Sequence, residues 1–269
     1  TDFGTGQPSM IPLAGPANKQ GRIAADNIAG GDVTYKGTQG AAIVKLFDLT
    51  AASVGTNEKA LTKGGRTKGT DYDVVTLAQN SHAIYYPGAS PLTIKLIFSL
   101  PDARILGAQI VGWGGVDKRI DTLSVAMRLG ATAVDLNDLE MAYAPPYSSA
   151  KDPVNMLGFM AENVLTGKVR FAAWDALDTP DDNRILLDVR EGEECAAYAI
   201  PGSLNIPLGQ LRANMHTLDR SKEIIVLCAI GVRAYNASRL LMNEGFQDVK
   251  LYPGGTTFYS STHYEELET

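Results

Sequence analysis

The sequence predicts an α+β unit with an antiparallel sheet over residues 1–168. An α/β unit, with a parallel sheet covered on both faces, follows over residues 169–269. Three observations carry this reading. In the first unit strand-like runs come in succession and helices follow, the order of an antiparallel sheet with helices. In the second, short wholly apolar runs alternate with helical patterns, as in parallel strands buried on both faces. The charge balance also changes near Gly167. Residues 1–168 hold 15 basic and 15 acidic side chains, residues 169–269 hold 9 and 15, so the net charge of −6 lies in the second unit.

The elements follow in order. Within residues 13–30, Gly15-Pro16 breaks the chain and Asn18 is a candidate helix cap. Ile23, Asn27 and Ile28 then fall at helical spacing until Gly30-Gly31 ends the pattern. The small residues Ala24, Ala25 and Ala29 suit close packing on a neighbour. Residues 41–54 fit one or two strands. Residues 74–83, 92–99 and 105–111 read as three more, separated by turns at Pro87-Gly88 and Pro101-Asp102. Residues 117–129 form a helix with Ile120, Leu123, Ala126 and Met127 on one side. A loop at 143–151 holds Pro145-Pro146, and a helix over 154–165 ends at Gly167. A linker is expected over 165–182. Residues 185–189 and 224–227 are short buried strands, and residues 233–243 a helix.

Composition narrows the function. The 269 residues are 45% hydrophobic and 20% charged, ordinary for a globular protein. An acidic balance disfavours a nucleic-acid binder, and no apolar run reaches the roughly 20 residues that cross a bilayer. Two cysteines, Cys195 and Cys228, are too few for a disulfide framework and fit a reducing cytoplasm. No metal site is expected. Residues 1–168 contain neither cysteine nor Gly-x-Gly-x-x-Gly. Alone they run no dithiol cycle and hold no dinucleotide in the usual way. The chain begins at Thr1 without a complete first element and reads as part of a longer one.

The sharpest chemical signal is Cys228-Ala229-Ile230-Gly231-Val232-Arg233, placed between a buried strand and a helix. A loop there can turn its backbone N–H groups toward one point and hold an anion at the helix terminus. A thiolate or persulfide on Cys228 is such an anion, and such surroundings favour a thiolate. Arg233 adds positive charge, for the loop or for an anionic substrate. The plain alternative is a small core cysteine. A phosphatase loop is the other chemical alternative, but it has five residues between Cys and Arg where four stand here. Cys195 follows Glu191-Gly192-Glu193-Glu194, whose charges oppose a thiolate, and reads as structural.

Around that loop stand Leu187-Asp188-Val189-Arg190-Glu191, then Ile200-Pro201-Gly202-Ser203-Leu204-Asn205-Ile206-Pro207, and after it Leu251-Tyr252-Pro253-Gly254-Gly255. Together these resemble a single rhodanese domain. The resemblance implies a doubly covered parallel sheet and Cys228 as carrier of a transferable persulfide. It departs at Ala199, where many members have histidine. Asp188 and Arg190 would position the loop, or form an ion pair at the surface.

Three stretches of the first unit point elsewhere. They are residues 13–22 around Gly15-Pro16-Ala17-Asn18-Lys19, residues 82–88 around Tyr85, and Tyr143-Ala144-Pro145-Pro146-Tyr147 continuing to Asn155. They resemble the C-terminal part of flavin-dependent coenzyme A-disulfide and persulfide reductases, some of which carry a rhodanese tail. The resemblance implies a homodimer. It also implies FAD and NADH sites lying mostly upstream, coenzyme A persulfide or disulfide or inorganic sulfane sulfur as substrate, and Pro16, Ala17, Asn18 and Lys19 close to the flavin. Tyr85 and Tyr143 would stand near the thiol substrate across the dimer, where a phenol can donate to a leaving thiolate. The alternative for each is a packed aromatic. His82 is read as structural, and Lys19, Arg22 and Lys151 as phosphate contacts or plain solvated surface. The rival function is a dimerisation and docking module with a non-catalytic rhodanese-like domain.

Overall fold

The computed structural model describes residues 1–4 and 6–263. An exposed helix α1 (Ala14–Ile28) precedes the first sheet. It starts four residues before Asn18, with Pro16 accommodated in its first turn, where a missing amide costs no helical bond. Asn18 is therefore no cap; its amide donates back to the Ala14 carbonyl.

The sheet holds β1 (Ala42–Leu46), β2 (Leu49–Gly55), β3 (Tyr72–Asn80), β4 (Pro91–Ser99) and β5 (Ile105–Gly112) in the order β1-β2-β5-β4-β3. Every pairing is antiparallel. A short helix α2 (Glu58–Lys63), capped by the Asn57 side chain, interrupts the strands and was not expected from the sequence. The strand expected over 74–83 lies two to three residues earlier. Ser81 and His82 instead turn out of the sheet, their side chains bonded to one another. Helices α3 (Val116–Arg128) and α4 (Pro153–Leu165) bring Ile120, Leu123, Val154 and Leu157 into one core with Ile94, Leu96, Phe98 and Ile110 of the sheet.

The second sheet is parallel, in the order β7-β6-β8-β9. It is built from β6 (Arg184–Asp188), β7 (Leu204–Asn205), β8 (Glu223–Leu227) and β9 (Val249–Leu251). Helices α5 (Gly192–Ala197), α6 (Leu208–Asn214), α7 (Val232–Asn243) and α8 (Gly255–Thr262) complete it. Alternation along β8 explains its unbroken apolar run. Ile224 and Val226 pack with Leu211, Ala237 and Leu241, while Ile225 and Leu227 pack with Ile200, Tyr252 and Tyr259. A strand with two covered faces needs apolar residues at every position.

The stretch expected as a linker is partly structural. Val169 and Ala172 are buried, and residues 170–172 exchange backbone bonds with Leu251 beside β9. Phe171 packs against the cores of both units.

One buried side chain organises the site end of the first unit. Arg119, 1% exposed, bonds Asp152 through Nε and Nη2, at 3.3 and 3.0 Å. It also donates to the carbonyls of Ser81 (2.8 Å) and Gly115 (3.0 Å) and to the Ser148 hydroxyl (3.3 Å). Burial raises the Asp152 carboxyl, but the bonds from Arg119, Ser148 and Val154 outweigh it and hold the group below its ordinary range. Replacing Arg119 with Ala should cost about 3–5 kcal/mol in urea unfolding, because Asp152 is left buried with its principal partner gone. The Asp152 contribution is full above the ordinary carboxylate range and should fade as pH falls through it, a dependence that Asp152→Asn removes.

Candidate active site at the Cys228 loop

Cys228 is the first residue after β8 and is 1% exposed. The chain then turns through Ala229, Ile230 and Gly231 before α7 starts at Val232. Gly231 sits at φ 110°, a conformation that a side chain disfavours. The turn points the amides of Gly231 and Ala234 at Cys228 Sγ, at 3.1 and 3.4 Å. Amide donors at the start of a helix are the arrangement that holds negative charge on a small group. Ile230 and Val232 present exposed apolar side chains beside it.

The loop is also held from behind. The carbonyls of Cys228 and Ala229 accept from the amides of Thr256 and Thr257, at 2.8 and 3.0 Å. A Cβ on Gly255 would fall 2.1 Å from the Cys228 carbonyl oxygen, so only glycine fits there. The Pro253-Gly254-Gly255 motif is thus the seat of the loop.

Asp188 and Arg190 form no surface pair, because both are buried. Arg190 grips the carboxylate through Nε (3.0 and 3.1 Å) and Nη2 (2.7 Å) and donates to the Tyr198 carbonyl at 2.7 Å. The Cys195 thiol donates to Asp188 Oδ2 at 3.4 Å. Burial first and the Asp188 carboxylate next push that thiol upward, away from thiolate. Arg233 is held in a two-pronged pair with Glu194 of α5, Nη1–Oε2 2.5 Å and Nη2–Oε1 2.7 Å. The Arg233 bond pulls the Glu194 carboxyl down to about 2. In the sequence Glu194 stands out only as part of an acidic run. The available signal was its place three residues after Glu191, where the two residues form a capping box.

In the first unit Tyr85 and Tyr143, 58 residues apart, meet with their hydroxyls 3.2 Å apart. Both rings are exposed. The bond to Tyr143 is the main reason that the Tyr85 phenol titrates above its ordinary value. His82 is bonded to the Pro87 carbonyl and to Ser81. Pro16, Ala17, Asn18 and Lys19 form a third group on α1, a helix without a buried residue. Pro16, Lys19 and Arg22 face an open cleft shared with Lys36 and Arg128.

These two architectures match known domains. Residues 41–153 match the pyridine nucleotide-disulphide oxidoreductase dimerisation domain, and residues 172–262 match the rhodanese-like domain. The chain joins a disulphide-oxidoreductase dimerisation domain to a rhodanese-like domain. Similar proteins carry both. The reduced CoADR-RHD of Bacillus anthracis superposes with a TM-score of 0.91 at 46% identity, over 98% of this chain and 47% of that one. An NAD-dependent persulfide reductase from A. fulgidus gives 0.85 at 40% identity, over 96% and 46%. A coenzyme A disulfide reductase of Staphylococcus aureus is 46% identical over 156 residues, 58% of this chain and 34% of that protein. The chain therefore spans about a third of the curated relative and about half of each solved structure. Among the described residues no helix is long and apolar enough to cross a membrane, and no group of three or more potential metal ligands gathers.

In the rhodanese-like domain, Gly255→Ala should cost more than about 1 kcal/mol of stability. It should also change the rate at which Cys228 is alkylated, leaving Cys195 unaffected. Urea unfolding and peptide mapping after iodoacetamide treatment check the two effects.

Proposed function

We propose that Cys228 carries sulfane sulfur as a persulfide, with the loop amides holding charge on the sulfur and Arg233 lying beside it. The observation that carries this is the pair of amides at 3.1 and 3.4 Å from Sγ, in a loop clamped from behind by α8. In the loading step a Cys228 thiolate attacks the outer sulfur of a hydropersulfide, R–S–SH. The new S–S bond forms as the old one breaks, and R–S⁻ leaves with the electron pair. Asp188 and Arg190 act as positioning residues at the end of β6, and Cys195 stays a thiol outside the chemistry. Ala229, Ile230 and Val232 shape the rim around Gly231.

The same reading extends to the first unit in a protein of its relatives' length. There the chain contributes to a homodimeric coenzyme A-disulfide or persulfide reductase that draws electrons from NADH. Support comes from the similarity to proteins bearing those names, and from apolar side chains exposed on this unit, among them Trp113, Val125 and Leu129. FAD would supply the relay of electrons between NADH and the thiol centre. Pro16, Ala17, Asn18 and Lys19 fit its neighbourhood because α1 offers a fully uncovered face beside a cleft bordered by four cationic side chains. The Tyr85–Tyr143 pair would hydrogen-bond the thiolate released from coenzyme A, with Tyr143 as the partner that orients Tyr85.

Intact mass after exposure of the chain to an organic persulfide should rise by one sulfur atom. The gain should vanish on reduction with dithiothreitol and be absent in Cys228→Ser. A mass that never changes would favour the docking-module reading. In the full-length reductase, Tyr85→Phe should lower kcat for coenzyme A disulfide by about 10²-fold, the scale of a lost proton donor.

A further inference from the structure

Glu194 has no part in the chemistry proposed above, yet it engages the most prominent cation of the loop. Both terminal nitrogens of Arg233 are taken by its carboxylate, at 2.5 and 2.7 Å. The pair is not sealed in the core. The Arg233 and Glu194 side chains are 31% and 37% exposed, so an incoming anion can reach it. Glu194 is also fixed in place. Its Oε2 accepts from the Glu191 amide at 3.0 Å, which ties the carboxylate to the start of α5. The second arginine near the loop is likewise matched, by buried Asp188. The accessible surroundings of Cys228 are thus the neutralised Arg233 and an apolar rim of Ile230 and Val232.

We propose that Glu194 selects the sulfur donor. By occupying the Arg233 fork it disfavours small inorganic dianions such as thiosulfate and leaves the site to persulfides of organic thiols. The inference rests on the sulfurtransferase reading. Both donors can in principle load the same cysteine. With thiosulfate the Cys228 thiolate attacks the outer sulfur, the S–S bond breaks, and sulfite leaves with the electron pair. A dianion needs a free cation to offset its desolvation, and here it must displace a carboxylate to obtain one. In an organic persulfide the charged groups of the carrier lie away from the sulfur that is transferred, so no cation is needed beside Cys228, and the carbon chain next to that sulfur can lie along the apolar rim.

The test compares thiosulfate with glutathione persulfide as donors to the whole 269-residue chain in single turnovers of persulfide formation on Cys228, whose limiting rate and half-saturating donor concentration stand for kcat and KM. Glu194→Gln keeps an oxygen for the capping box and removes the charge. It should raise kcat/KM for thiosulfate about tenfold, mainly through KM, on the scale of one charge removed near a partly exposed site. The value for glutathione persulfide should stay within about twofold. Glu194→Asp, which restores the charge, should return the donor ratio toward that of the unsubstituted chain. In an Arg233→Gln background the Glu194→Gln effect should disappear, since it acts through the guanidinium. An unchanged donor ratio in Glu194→Gln, or an equal loss with both donors, would show that Glu194 only ties α5 to α7 and would overturn this inference alone. If neither donor loaded Cys228 in the unsubstituted chain or in any variant, the sulfurtransferase reading would be overturned and this inference with it.

Discussion

The close approach of two backbones at Gly255 is the constraint on which the candidate site depends. The start of α8 lies against the Cys228 and Ala229 carbonyls, and the Thr256 and Thr257 amides complete the contact. With those carbonyls held, the loop that follows has a fixed starting point. Gly231, at φ 110°, makes the turn that delivers its own N–H and that of Ala234. The strand behind the loop is equally constrained. β8 lies between β6 and β9 with both faces packed, so Cys228 leaves a rigid strand end. A loop that must present dipoles to a small anion benefits from such support, because pre-set donors need no reorganisation when charge develops.

Arg119 has the corresponding place in the dimerisation domain, by other means. A single guanidinium joins the end of β3 at Ser81, the start of α3 at Gly115, the proline-rich loop at Ser148 and the cap of α4 at Asp152. The segment bearing Tyr85 and the segment bearing Tyr143 leave this junction on either side. Their hydroxyls meet 3.2 Å apart although both rings are exposed. An exposed pair gains little from the bond itself. Its geometry is inherited from the buried polar cluster beneath it.

What could be read from the sequence followed periodicity and motif. The strands β4 and β5 and the helices α3 and α4 were legible because their apolar spacing is regular and punctuated by Pro and Gly. Cys228, its loop glycine and Arg233 were legible because the motif is continuous in the chain. The start of α1 was misplaced because Gly15-Pro16 reads as a break, yet a first helical turn tolerates proline. Helix α2 is six residues long, too short for a periodic signal. The rest consists of pairings between distant residues: Tyr85 with Tyr143, Arg119 with Asp152, Glu194 with Arg233. No local pattern encodes such contacts. The acids before Cys195 show the consequence, since in sequence they appear as one repulsive block. In the fold Glu194 is spent on Arg233, and it is buried Asp188 that accepts from the Cys195 thiol.

The charges around Cys228 also bear on how the site works. Arg190 is matched by Asp188 and Arg233 by Glu194, so these two arginines contribute little net charge at a distance. Close to the sulfur stand backbone dipoles, the start of α7 and the Arg233 guanidinium in its pair with Glu194. Dipole fields fall off faster than those of net charges and act over the first turn of a helix. Such a site attracts anions weakly from solution but stabilises negative charge once it is formed on Sγ. That division suits a carrier of persulfide: it favours charge that arises by covalent transfer to the cysteine over charge that arrives already on a bystander ion. On the proposed function, the amides would hold what has been bonded, and the Arg233–Glu194 pair would keep the approach from filling with counter-ions that carry no transferable sulfur.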